Sequence, residues 1–102
     1  MKESSKALLE LISKECSNQL THYKYNQHSL DISDKYRHGR VTALNYMLEL
    51  TFFYFEMEKD LKEQLLQDLQ KQMAFTASLR ESDYKQGIYD AISKIIQEVE
   101  RN

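Results

Sequence analysis

Residues 36–49 read YRHGRVTALNYMLE and residues 84–97 read YKQGIYDAISKIIQ, and the two align without a gap. Tyr36 falls on Tyr84, Gly39 on Gly87 and Ala43 on Ala91; the apolar pairs Leu44/Ile92, Met47/Ile95 and Leu48/Ile96 follow. Apolar residues three and four apart mark both segments as amphipathic helices. The chain has only two glycines, and both stand here, one turn inside a helix. Glycine at such a position costs about 1 kcal/mol relative to alanine. The cost is tolerable where the missing side chain admits another backbone or a bulky ring. Gly39 and Ala43 share one helical face, as do Gly87 and Ala91, each glycine with a tyrosine three residues before it. Tyr36, Gly39, Ala43, Tyr84, Gly87 and Ala91 therefore predict that the two helices cross at these notches, about a pseudo-twofold axis.

The same periodicity extends in both directions. Leu8, Leu9, Ile12, Cys16, Leu20 and Tyr23 line one face of a first helix from 4 or 5 to about 25. The segment NQHSLDIS breaks the pattern and reads as a connection, with Leu30 and Ile32 pinning it to the bundle. Ser33 is placed to cap the next helix, and Asp34 faces its positive end. From there Tyr36, Ala43, Met47, Leu50, Tyr54, Met57, Leu61, Leu65, Leu69 and Met73 keep one stripe to about residue 75. No proline or glycine marks a break, so the pattern predicts an unusually long central helix, with a bend near 55–59 as the alternative. Ser78 with Glu81, or else Ser82, caps a last helix bearing Tyr84, Ile88, Ala91, Ile92, Ile95 and Val99 on one face. The expected fold is all-α: a single domain over 1–102, built as a helical hairpin or bundle of three helices, four if the long one is interrupted.

Composition narrows the function classes. The chain has 102 residues, 41% of them apolar and 29% charged, with no proline and a net charge of -2. This is too apolar for a disordered chain, and the weak negative charge argues against a protein built to coat nucleic acid. One cysteine forms no internal disulfide, which points to a reducing, cytoplasmic setting. Neither a signal-peptide pattern nor a run of about 18 uncharged apolar residues is present, so no membrane association is expected.

Reactive groups do not converge in the pattern. His22, His28, His38 and Cys16 lack any spacing that would set two metal ligands on one helical turn, and no metal or other cofactor is expected. Cys16, between Ile12 and Leu20, reads as a small core residue with no histidine one turn away to activate it. Glu49, Glu56 and Asp60 lack the Glu-x-x-His units of a di-metal bundle. No catalytic residue is assigned, and the chain is not expected to be an enzyme. Lys35, Arg37 and Arg40, with His38, form the one basic turn, a candidate anion site at a helix start. The second copy of the repeat has Ile88 where the first has Arg40, so packing is what the copies share.

The strongest functional signal lies at 41–57. Val41, Leu44, Tyr46, Leu48, Leu50, Phe52, Phe53, Tyr54 and Phe55 wrap most of the helix, more than two amphipathic neighbours would cover. An apolar excess of this kind marks an association surface. Leu50, Phe52, Phe53, Tyr54, Phe55, Met57, Leu61 and Leu65 are the expected interface, with a second copy of the chain as first partner and another protein as second. The expectation is a non-catalytic homodimeric interaction module: an adaptor, small chaperone or regulatory scaffold. The alternative is a small nucleic-acid-associated regulator using the basic turn 35–40.

Overall fold

A computed structural model describes residues 3–25, 32–55 and 62–101 and gives four helices: α1 (Glu3–Tyr25), α2 (Asp34–Phe55), α3 (Lys62–Ala77) and α4 (Asp83–Arg101). They form an all-α bundle with no strand among the described residues. Their lengths of 23, 22, 16 and 19 residues leave none dominant. The single long helix expected from 34 to 75 is thereby corrected to two. A stripe with steps of three and four cannot report that the chain turns back, because α3 repeats the periodicity of α2 after reversing. The consequence is visible in the packing: the Tyr54 hydroxyl donates to Asp68, fourteen residues on. Leu65 and Leu69, read as continuing the stripe of α2, lie in the shared core instead.

The helix starts follow from their caps. The Ser33 hydroxyl accepts the Tyr36 N–H at 3.1 Å, and the Ser82 hydroxyl accepts the Lys85 N–H at 3.1 Å. Of the two sequence candidates for the last cap, Ser82 is the one used; Ser78 instead donates to the Phe75 carbonyl at 2.6 Å and closes α3. Ile32 is 38% exposed and does not pin its loop, while Leu30 lies outside the described residues.

Helix α4 is the hub, packing against α1, α2 and α3, and its contact with α2 is the most extensive among the described helices. The two glycines explain how close that contact is. A Cβ on Gly39 would stand 2.1 Å from the Tyr84 carbonyl oxygen, and one on Gly87 would stand 2.2 Å from the Tyr36 carbonyl oxygen. The backbones of α2 and α4 thus touch at two reciprocal points, each glycine against the tyrosine three residues ahead of the other. Around the crossing, Ala43, Leu44 and Met47 of α2 and Ala91, Ile92 and Ile95 of α4 join Leu9, Ile12 and Cys16 of α1 in one core. Two buried threonines are satisfied locally: Thr51 donates to the Leu48 carbonyl and Thr76 to that of Gln72, both at 2.7 Å.

Burial sets a pH signature. Desolvation, then the charge of Glu15, pushes the Cys16 thiol from 9.0 up to about 12. Burial, then the Asp68 carboxylate, raises the Tyr54 phenol, and burial, then Asp90, raises that of Tyr36. For each group the folded value lies above the unfolded one. Their contribution to stability is therefore whole below the unfolded values and is lost as pH climbs through the folded ones. Urea midpoints are expected to fall steadily from pH 9 toward pH 12; a midpoint that rises over that window would contradict this burial.

Candidate functional site

The outer face of α2 changes character along its length. His38, Thr42, Asn45 and Glu49 are exposed and polar, whereas Phe52 and Phe53 follow at 59% and 60% exposure. Burying a phenylalanine removes about 150–250 Å² from water. Two adjacent rings left open to this extent are the largest apolar feature on this helix. Leu50 and Phe55 are half-buried and lean on the core. Tyr54 and Leu65, both read as interface residues, lie at 2% and 1% in the chain's own core and are not available to a second copy. Met57 and Leu61 fall outside the described residues. The surface open to a partner thus narrows to Phe52 and Phe53, with Leu50 and Phe55 at its margin.

Beside this face α2, α3, α4 and the α3–α4 connection border a half-open pocket of about 360 Å³. Ala43, Ile88, Ile92 and Thr76 are among its lining, with Thr42 and Tyr46 contributed by α2 and Phe75 by α3. None of its lining side chains is charged at neutral pH. Burial, then the Asp68 charge, raises the Tyr46 phenol, and Gln72 on α3 acts against that rise. Phe75 is 63% exposed and was not anticipated as a surface aromatic. The signal was available: Phe75 stands off the stripe formed by Leu65, Leu69 and Thr76, a position that faces solvent on a helix packed by one side.

The basic turn divides. Lys35 is exposed, and Arg37 pairs with Asp34 at 3.4 Å. Arg40 instead turns into the bundle. Its guanidinium lies over the rings of Tyr23 and Tyr36, 5.6 and 5.8 Å from their centroids. It donates to the Tyr36 hydroxyl at 3.1 Å and to Gln19 Oε1 at 3.0 Å. The Tyr36 hydroxyl donates its own O–H to Asp90 Oδ2 at 2.6 Å, and Gln19 donates to Glu15 at 2.9 Å. Glu15 in turn meets Lys94 at 3.2 Å. One chain of polar contacts therefore runs from α2 to α1 and α4, with Arg40 at its centre. Asp90 and Gln19 escaped the sequence reading because they reach the group from other helices, Asp90 from α4 and Gln19, together with the already noted Tyr23, from α1.

Tyr36, Gly39 and Ala43 face Tyr84, Gly87 and Ala91 at the α2–α4 crossing described above. Cys16 is fully buried. Among the described residues no group of three histidine, cysteine or acidic side chains could hold a metal ion, and no helix is long and apolar enough to cross a membrane. In comparisons with known proteins, no family model, no curated protein and no solved structure matches this chain.

Proposed function

We propose that this chain is a non-catalytic interaction module of a cytoplasmic kind, an adaptor, small chaperone or regulatory scaffold, that works as a homodimer. The observation that carries the reading is the adjacent pair Phe52 and Phe53, about six-tenths exposed at the end of α2. Roughly 240 Å² of aromatic surface is left in water by these two rings, at ~200 Å² for a whole side chain. The largest apolar patch on a typical monomer is about 300–600 Å² and is often functional, and these two rings supply much of such a patch. Pairing of identical surfaces about a twofold is the commonest way to cover one. The nucleic-acid alternative has less to support it, since Arg40 faces inward and Arg37 already has an acidic partner.

Sedimentation equilibrium of the untagged chain through the micromolar range tests the proposal. A concentration-dependent rise from 12.2 kDa toward twice that mass is expected. The double variant Phe52→Glu/Phe53→Glu should hold the monomer mass while keeping its helical circular dichroism, because both side chains project from the core. A wild-type chain that remains at the monomer mass throughout would remove the homodimer.

A further inference from the structure

The pocket and one of the exposed rings stand on the same helix, and their spacing is self-complementary. Thr42 and Tyr46 line the pocket, and Glu49 and Phe53 continue the same face of α2 at steps of three and four. If two α2 helices lie antiparallel about a twofold axis midway between Tyr46 and Glu49, Thr42 of each copy stands opposite Phe53 of the other. Tyr46 then stands opposite Glu49. We propose that Phe53 enters the α2–α3–α4 pocket of a second copy and that the exchange is reciprocal across this axis. The inference rests on the homodimer proposed above and identifies the surface that forms it.

Shape, charge and area agree on this occupant. The pocket of about 360 Å³ has room for a phenyl ring, and its uncharged lining suits an apolar one. Eleven residues at about 1.5 Å each separate Thr42 from Phe53, so the two pockets would lie roughly 16 Å apart along the helix pair. In this register Lys35 and His38 of one copy stand at least eight residues, about 12 Å, from the other copy's Glu49, so the pairing rests on the apolar contact and on the antiparallel helices. The helix dipoles oppose favourably in the same arrangement. A parallel pair would stack Phe53 on Phe53 and leave both pockets open. Phe75, 63% exposed at the pocket, would be covered with Phe53. The two rings amount to roughly 250 Å² per copy at ~200 Å² for a whole phenylalanine. That is the apolar centre of a small interface of the kind found in weak complexes below ~1,200 Å², in keeping with association at micromolar concentration.

The test is a charge exchange across the proposed pair. Phe53→Glu and Thr42→Lys both alter exposed positions, so circular dichroism should stay helical in each. Alone, each variant is expected to sediment as a monomer at micromolar concentration. An equimolar mixture should recover a one-to-one dimer, because one Glu–Lys pair and one native Phe53–Thr42 contact then meet across the axis. Phe53→Ala, which adds no charge, should weaken wild-type association tenfold or more. A wild type that dimerises beside a mixture that stays monomeric, or a Phe53→Ala variant that dimerises undiminished, would overturn the pairing while leaving the homodimer standing. A wild type that never dimerises would overturn both.

Discussion

Gly39→Ala and Gly87→Ala are each expected to destabilise the chain by about 3 kcal/mol or more, although alanine is the best helix former. At either position the added methyl would stand barely 2 Å from a carbonyl oxygen of the facing helix, at Tyr84 or at Tyr36. A carbonyl on a regular helix cannot swing aside as a side chain can, so the helices themselves must part. The separation would loosen Ala43 against Ile92 and the core that α1 adds to them. Propensity returns at most about 1 kcal/mol. Against a total stability of ~5–15 kcal/mol, one variant is a serious loss. The two sites share one crossing, so the double variant should lose less than the sum of the singles. Urea unfolding followed by circular dichroism measures all three. Midpoints that hold or rise in both single variants would mean that the α2 and α4 backbones are not in contact there.

That contact was the most legible part of the fold, and the reason is chemical. Glycine inside a helix needs a cause, and a second glycine at the same place in a matching segment points to a shared one. The all-α class was legible for a related reason: apolar steps of three and four fill nearly the whole chain. What the sequence withheld is direction. Nothing in the spacing of Met57, Leu61 and Leu65 distinguishes a helix that continues from one that ends at Phe55 and resumes at Lys62 on the way back. The interface list suffered accordingly. Once α3 folds onto α4, Leu65 is consumed internally, and Tyr54 is held by Asp68 from the reversed helix. Phe52 and Phe53 survive as surface residues because they leave the stripe on either side of it. The pocket was illegible altogether, being a gap among three helices whose relative positions no single periodicity encodes.

Arg40 shows the same limit in electrostatics, and it carries the second large effect. Arg40→Gln is expected to cost about 3 kcal/mol, whereas Arg37→Gln, three residues earlier in the same basic turn, should stay within about 0.5 kcal/mol. From sequence the two are interchangeable surface cations. In the bundle Arg37 makes one ion pair with the exposed Asp34, a contact of the kind that adds little. Arg40 holds two tyrosine rings and two hydrogen-bond partners across α1 and α2, and through the Tyr36 hydroxyl it is linked to Asp90 of α4. Hydrogen bonds to a charged group contribute about 1.5–3 kcal/mol each, and a cation over an aromatic face adds about 0.5–1. Glutamine is too short to reach from α2 to Gln19 and to the Tyr36 hydroxyl together, and the Tyr36–Asp90 bond would lose the cation beside it. Partial solvent access to the group brings the estimate below the plain sum of these contributions. Lysine should not rescue the loss, because an ammonium cannot lie flat on two rings while donating in two directions. Thermal and urea unfolding of Arg40→Gln, Arg40→Lys and Arg37→Gln decide the matter. If Arg40→Gln unfolds at the wild-type midpoint, this polar chain is an incidental surface cluster, and the basic turn regains its claim as a site that meets an anion.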